Sequence, residues 1–394
     1  MRVVHVSHMY PKRPGDRYGI TMRDQVNALA ESCAVSSSVI SPTPWLPHVL
    51  RNVPRWKRYF TSLHHATVDG IDVTFPKYLV APRGLFRQMG QRAFRTAATS
   101  AFREMPNPEG VDLVHAHMAI PDGLAAWSIS HLCSCPFVVT IQATDLDLTA
   151  RAGETHRAQL SHVLSAASAV ISPSPRLSMD CRSQFGRPAV TVPYGIHSDD
   201  PHGEAGNTRA KLPAGTILLT AARLLRSKGI DDLLHACSNL INEQLQLHLV
   251  IVGDGPDRGR LESIARSNSL AEHVSFLGAL PHSEVLRYMA ACDVFVLPSW
   301  RETFGLVYLE AMAAGKPVIG VQEQGIDGII EQGRTGFLVA SRSICELTQT
   351  LQRVVTDAEL ARAVGANARA LVLETLTWQR TAERTMEIYE QAIS

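Results

Sequence analysis

Two carboxylates stand eight residues apart in the run Pro298-Ser299-Trp300-Arg301-Glu302-Thr303-Phe304-Gly305-Leu306-Val307-Tyr308-Leu309-Glu310. The apolar stretch Val294–Leu297 before it predicts a strand, and the stretch running to Gly315 predicts a helix with a glycine stop. Glu302 then lies in the loop and Glu310 in the helix, so the loop can hold both carboxylates around a polyhydroxylated ligand. The backbone N–H groups of Phe304, Gly305 and Leu306 fall at the helix start. They have no intrahelical partner there and suit an anionic oxygen. Taken alone, the same residues also read as a capping acid and a solvated helical glutamate.

Further groupings stand at other strand ends. Arg223 and Lys228, in Arg223-Leu224-Leu225-Arg226-Ser227-Lys228-Gly229, follow the run Thr216–Thr220; alone they read as a solvated helix start. Gly253-Asp254-Gly255-Pro256 follows Gln246–Val252. As a dinucleotide fingerprint it is weak, because the third glycine would fall at Arg258. Asp112-Leu113-Val114-His115-Ala116-His117 places two histidines at a strand end, where structural roles are common. Asp145-Leu146-Asp147 could hold a divalent cation, but the favoured reading is a helix-start cap with Asp145 near an acceptor, and no metal site is expected. Cys133 and Cys135 form a C-x-C pair without a second Cys/His cluster, a poor zinc site. All seven cysteines read most simply as buried free thiols.

Short apolar runs alternating with helix-length segments predict these positions to be the carboxyl ends of parallel strands in an α/β protein. Strands are predicted at Arg2–Ser7, Val35–Ile40, Val111–His115, Pro136–Ile141 and Ala169–Ser172. The second half adds Thr216–Thr220, Gln246–Val252, Val274–Leu277, Val294–Leu297 and Pro317–Gly320. Helices are predicted near Met22–Glu31, over Leu85–Met105, and from Glu359 to Ser394 with a break near Thr375–Thr377. The turn at Tyr194-Gly195-Ile196 marks a junction. Domains are expected at 1–192 and 193–375, with a final helix, about 376–394, returning to the first.

Length (394 residues), 45% hydrophobic and 19% charged residues exclude disorder and collagen-like repeats. Net charge is +1, yet residues 1–190 carry 20 Lys and Arg against 13 Asp and Glu, and residues 191–394 carry 18 against 24. The excess of positive charge concentrates in residues 51–103. That basic, aromatic-bearing stretch is either a solvated helix packed on its own domain or a peripheral contact with an anionic membrane. Near-neutral total charge argues against nucleic acid. No run is long and apolar enough to span a bilayer, and the first residues lack the apolar core of a leader, so a cytoplasmic location is expected.

Together the motifs resemble the E-x7-E retaining glycosyltransferases of GT-B fold, family 4. The resemblance rests on the R-x4-K-G of Arg223–Gly229, the turn Gly253–Pro256, Glu302 and Glu310, the stretches Gly325–Ile330 and Gly333–Val339, and the D-x-x-H-x-H ending at His117. It implies two facing Rossmann-like domains with a shared cleft. Their function would be retaining transfer of a sugar from a nucleotide-diphosphate sugar to a hydroxyl acceptor, without a metal or other cofactor. It further implies that Arg223 and Lys228 neutralise the diphosphate, Glu310 holds the ribose, Glu302 a hydroxyl of the donor sugar, and His117 faces that sugar. Gly15 and Gly19 match a glycine loop that approaches the diphosphate, although the family's adjacent pair of glycines is absent. Gln142, in Thr140-Ile141-Gln142-Ala143-Thr144-Asp145, replaces a common histidine and can hydrogen-bond on the acceptor side but carries no proton. In relatives the departing phosphate is thought to take the acceptor proton.

A looser resemblance to teichuronic-acid and exopolysaccharide assembly enzymes, through Ser41–Trp45, Trp56–Tyr59 and Asp69–Val73, implies a cell-envelope glycan as acceptor, and a lipid-linked acceptor would give the basic stretch 51–103 a purpose. A nucleotide-sugar epimerase and a catalytically silent nucleotide-sugar-binding protein are the alternatives.

Overall fold

A computed structural model describes residues 1–12, 16, 18–47, 53, 60, 64–79, 87–197 and 205–394. The chain divides into two units. One comprises Met1–Pro173, Leu177–Tyr194 and Trp378–Ser394; the other comprises Ser174–Arg176 and Gly195–Thr377.

The first unit is built on β1 (Arg2–Val6), β2 (Ser36–Ile40), β3 (Thr43–Trp45), β4 (His65–Val68), β5 (Ile71–Thr74), β6 (Lys77–Leu79), β7 (Leu113–Ala116), β8 (Phe137–Thr140), β9 (Ala169–Ser172) and β10 (Val190–Thr191). Eight of these form one sheet in the order β10-β9-β8-β7-β1-β2-β5-β4, parallel except for the β4–β5 hairpin; β3 and β6 pair separately. Helices α1 (Ile20–Cys33), α2 (Arg87–Arg103), α3 (Leu124–Cys133), α4 (Glu154–Ala166) and α5 (Pro175–Phe185) connect the strands. β7 and β8 are buried at every residue, as strands covered on both faces must be.

The second unit carries a six-stranded parallel sheet in the order β13-β12-β11-β14-β15-β16. Its strands are β11 (Thr216–Ala221), β12 (Leu247–Val252), β13 (Val274–Gly278), β14 (Val294–Val296), β15 (Val318–Val321) and β16 (Phe337–Val339). Its helices are α6 (Ala205–Arg209), α7 (Ile230–Asn242), α8 (Arg258–Ser267), α9 (His282–Ala291), α10 (Leu306–Ala313), α11 (Ile344–Thr356) and α12 (Ala358–Thr375); α13 (Trp378–Ile393) belongs to the first unit. Leu218, Leu249, Ile251, Val296 and Ile319 meet Leu233, Leu261 and Leu351 in its core.

In both sheets the strand order reverses at one place: between β1 and β7, and between β11 and β14. Ligands of open α/β sheets bind beyond the carboxyl ends of strands at such a reversal. The loops after β1 and β7 carry residues 7–19 and 117–123. The loops after β11 and β14 carry Arg223, Lys228 and Glu302.

The amphipathic α2 places Phe94, Ala98, Ala101 and Phe102 in the core of its own unit, with Arg92 and Arg103 outward. At these four positions the apolar stripe is covered by the helix's own unit. Most of residues 48–63 and all of 80–86 lie outside the described residues. Among the described residues no helix is long and apolar enough to cross a membrane. The cysteines differ from the expectation. Cys181, Cys237 and Cys292 are buried, but Cys33, Cys133 and Cys135 are half-buried and Cys345 is exposed. The sulfurs of Cys133 and Cys135 lie 2.9 Å apart. A hydrogen bond from Cys135 draws the Cys133 thiol down to about 7.

Candidate active site

The second unit assembles its charged residues at the reversal of its sheet. Lys228 Nζ donates to Glu302 Oε2 at 2.5 Å, with the two side chains 17% and 16% exposed. The loops that carry them are tied together directly. The Trp300 N–H donates to Ser227 O at 3.0 Å, and the Ser299 hydroxyl reaches the same oxygen at 3.2 Å. The guanidinium of Arg342 covers the Trp300 ring at 4.3 Å from its centre. Gln324, which sequence reasoning missed, accepts the Glu302 N–H at 3.1 Å and fixes this loop from the far side. Its only signal was its place just after a strand.

Arg223 is exposed and, among the described residues, has neither a hydrogen-bond nor an ion-pair partner. Its backbone is held by the glycine turn after β12. The Leu224 N–H donates to Asp254 O at 3.0 Å, and Leu224 O accepts from Asp257 at 3.2 Å. A side-chain carbon at Gly253 would collide with Ala222 O, and one at Gly255 with Leu224 O. The two glycines thus let the turn lie against the backbone of residues 222–224 and set where Arg223 projects.

Glu310, on α10, is 12% exposed, and its Oε1 lies 2.9 Å from His282 Nε2 at the start of α9. One carboxylate oxygen is engaged there, and Glu310 does not join the Lys228–Glu302 pair. His282 was not singled out from sequence, which offered no cue that a residue 28 positions earlier would meet Glu310. Gly305 caps α10 in the left-handed region (φ 86°) with no side-chain cap, and Phe304 is buried beside it. The N–H groups of Leu306 and Val307 accordingly precede the first helical hydrogen bond, which Tyr308 donates to Gly305 O at 2.9 Å.

In the first unit, His117 follows β7 and is buried with His5 and His115. His5 Nδ1 lies 3.1 Å from His117 Nε2, and His5 Nε2 lies 3.2 Å from Ser37 Oγ. His115 has a partner on each ring nitrogen: Tyr389 OH at 2.6 Å and Thr140 Oγ1 at 2.8 Å. His117 Nδ1 is buried without a partner. Burial lowers all three imidazoles, and His117 falls to about 3. The three rings are close enough to share a metal ion. His115, however, would have to give up one of its hydrogen bonds to ligate, so the cluster as it stands is a neutral hydrogen-bonded one.

Asp145 is fully buried. Its Oδ2 accepts the N–H groups of Gln142 at 3.0 Å and Ala119 at 3.1 Å, and its Oδ1 accepts that of Ile120 at 3.2 Å. Burial raises its carboxyl to about 6 against the pull of these three donors. Asp145 thereby staples the loops after β7 and β8 to each other. Gln142 is 8% exposed and donates through Nε2 to Tyr194 OH at 2.6 Å and His117 O at 3.3 Å. Gly19 caps α1 in the left-handed region (φ 81°), and Gly15 lies outside the described residues. Asp145→Ala should orphan three buried N–H groups, each costing about 1–3 kcal/mol. A loss of at least about 3 kcal/mol is expected, read by calorimetry as a fall of roughly 6–12 °C in the transition of this unit. A fall below about 2 °C would show that the loops do not depend on the carboxylate.

Residues 18–195 match the glycosyl transferase 4-like domain, and residues 208–371 match the glycosyl transferases group 1. The two halves of the chain belong to these two glycosyltransferase families. This glycosyltransferase is 26% identical to the putative teichuronic acid biosynthesis glycosyltransferase TuaC of Bacillus subtilis over 90% of its own length and 89% of that protein. Its fold is similar to that of sucrose-phosphate synthase from Thermosynechococcus elongatus, with a TM-score of 0.81 at 23% identity over 99% and 98% of the two chains. It is also similar to Anabaena HepE in complex with UDP-glucose, with a TM-score of 0.72 at 18% identity over 98% of each chain.

Proposed function

We propose that this glycosyltransferase moves a sugar from a nucleotide-diphosphate donor to a hydroxyl acceptor, with retention of anomeric configuration and without a metal ion. The observation that carries the reading is the Lys228–Glu302 pair at the strand reversal of the second sheet, with Arg223 exposed on the same loop as Lys228. Sugar transfer expels a dianionic diphosphate, and a cation fixed at a sheet's ligand position, with a second free on the same loop, is suited to that charge. Glu302, held by Lys228 on one oxygen, keeps a second for a sugar hydroxyl. Glu310, held by His282 on one oxygen, keeps a second for the ribose. The UDP-glucose complex of HepE, on a similar fold, supports a nucleotide-sugar donor. The likeness to TuaC along most of the chain supports a cell-envelope glycan as acceptor.

The test is incubation with UDP-, GDP- and ADP-sugars and a panel of glycan and alkyl-glycoside acceptors, with and without a chelator. Release of nucleotide diphosphate that survives chelation, together with a product whose anomeric signal matches the donor by nuclear magnetic resonance, is expected. An inverted product removes the retaining assignment. Turnover of the donor sugar to its epimer without any acceptor favours an epimerase.

A further inference from the structure

The end of α3 carries a pair of thiols that the reading above does not use. Ser134 closes the helix in the left-handed region (φ 53°), and both its N–H and that of Cys135, at 3.1 Å, donate to Ser130 O. This turn folds the chain back over the last turn of α3 and sets Cys135 beside Cys133. Their sulfurs lie 2.9 Å apart, within about 1 Å of the length of a disulfide bond. Both cysteines are half-buried: they pack against the core of the first unit and keep part of their surface exposed. The pair stands before the amino end of β8, away from the carboxyl ends where this sheet would take its ligand. The two thiols are chemically unequal. The Cys135 thiol donates to Cys133 and draws it down to about 7 against the opposing effect of burial. That same hydrogen bond, burial and the charge of Asp112 hold Cys135 above the ordinary thiol range. Near neutral pH about half of the Cys133 sulfurs are therefore thiolates, while Cys135 keeps its proton. A thiol that titrates near ambient pH is the best attacker of a disulfide. When protonated, Cys133 instead donates to Ile129 O at 3.2 Å.

We propose that Cys133 and Cys135 form a thiol–disulfide exchange site for low-molecular-weight disulfides, with Cys133 the attacking sulfur and Cys135 the resolving one. The Cys133 thiolate bonds to one sulfur of the incoming disulfide and makes a mixed disulfide. The S–S bond of the reagent breaks, and its other half leaves with the electron pair and takes a proton from solvent. Cys135 then attacks the Cys133 sulfur, and its proton passes to the second half of the reagent, which leaves as a thiol. The two protein thiols end oxidised to one disulfide, and one small disulfide ends reduced to two thiols. No step of this exchange depends on the sugar transfer proposed above.

The experiment incubates the full chain near neutral pH with bis(2-hydroxyethyl) disulfide, quenches with acid and maps the peptides by mass spectrometry, so that each adduct is assigned to its cysteine. Wild type should lose two hydrogen atoms from the peptide that spans Cys133 and Cys135, and dithiothreitol should restore them. Cys135→Ser keeps a hydroxyl donor beside Cys133 and should trap the mixed disulfide on that sulfur. Cys133→Ser should take up the reagent at Cys135 at least about tenfold more slowly than Cys135→Ser takes it up at Cys133. The rates are compared between variants whose circular dichroism matches wild type, and the wild-type product is read without any variant. A folded wild type in which the two cysteines carry separate adducts, or in which neither reacts, overturns the exchange site. Equal rates in the two variants overturn the assignment of Cys133 as the attacking sulfur.

Discussion

Replacing Arg223 and Lys228 together by alanine should abolish the stabilisation conferred by a nucleotide diphosphate and lower kcat/KM at least about a thousandfold. One cation about 4 Å from a phosphate oxygen contributes on the order of 4 kcal/mol at an effective dielectric of 20. Expressed mainly in the transition state, that is about a thousandfold in rate. The two cations act by different routes. Arg223 is exposed and without a partner among the described residues, so its loss removes charge from the site and little else. Lys228 also holds Glu302, and its loss leaves a mostly buried carboxylate unpaired in the loop expected to meet the donor sugar. Lys228→Ala should therefore raise KM and lower kcat together, whereas Arg223→Lys should recover part of the activity. In thermal-shift measurements wild type should gain about 2.7 kcal/mol at a hundred times Kd, with or without a chelator, and the double variant nothing. A double variant that keeps both the shift and a tenth of wild-type activity would leave the diphosphate to other groups.

The first unit should lose stability steeply below neutral pH. The imidazoles of His5, His115 and His117 are lowered by burial, with His117 down at about 3. In the unfolded chain each titrates near 6.5, so below that pH the unfolded state binds protons that the folded state refuses. The stability they confer is complete above pH 6.5 and is lost as pH falls towards the folded values. Each contributes a slope of about 1.4 kcal/mol per pH unit. Asp145 has the opposite sign: raised to about 6, it binds a proton in the folded state first and offsets one such slope between about pH 6 and 4. His8, raised, contributes stability that is fully present below pH 6.5 and lost only above. The net expectation is a loss of about 3 kcal/mol per pH unit between roughly pH 6 and 4. Calorimetry between pH 7.5 and 4.5 measures it. His117→Asn should make the net slope shallower by about half, and a transition unmoved between pH 7.5 and 5 would sink the argument.

The alternating strand–helix pattern was legible because it is local and repeated. Ala169–Ser172 matches its predicted span, and most other central strands shift by one or two residues at an end. The break expected near Thr375–Thr377 falls between α12 and α13. The strands that escaped are short or peripheral. β3 contains Pro44, and β4 and β5 join through Asp69-Gly70, both at positive φ. That dipeptide is the signal of a two-residue hairpin, and it was there to be read.

By itself the sequence determined the parallel α/β class and the chemistry-bearing residues at the ends of β7, β11 and β14, because burial period, glycine stops and motif spacing act over a few neighbouring residues. Only the tertiary structure decided which of those residues meet. Lys228 pairs with Glu302 across 74 positions, Glu310 turns to His282, Asp145 turns inward to backbone amides, and His8 meets Asp122 across 114 positions. Such pairs depend on which strands become neighbours in the sheet, and strand order is set by packing of the whole chain rather than by any local run of residues.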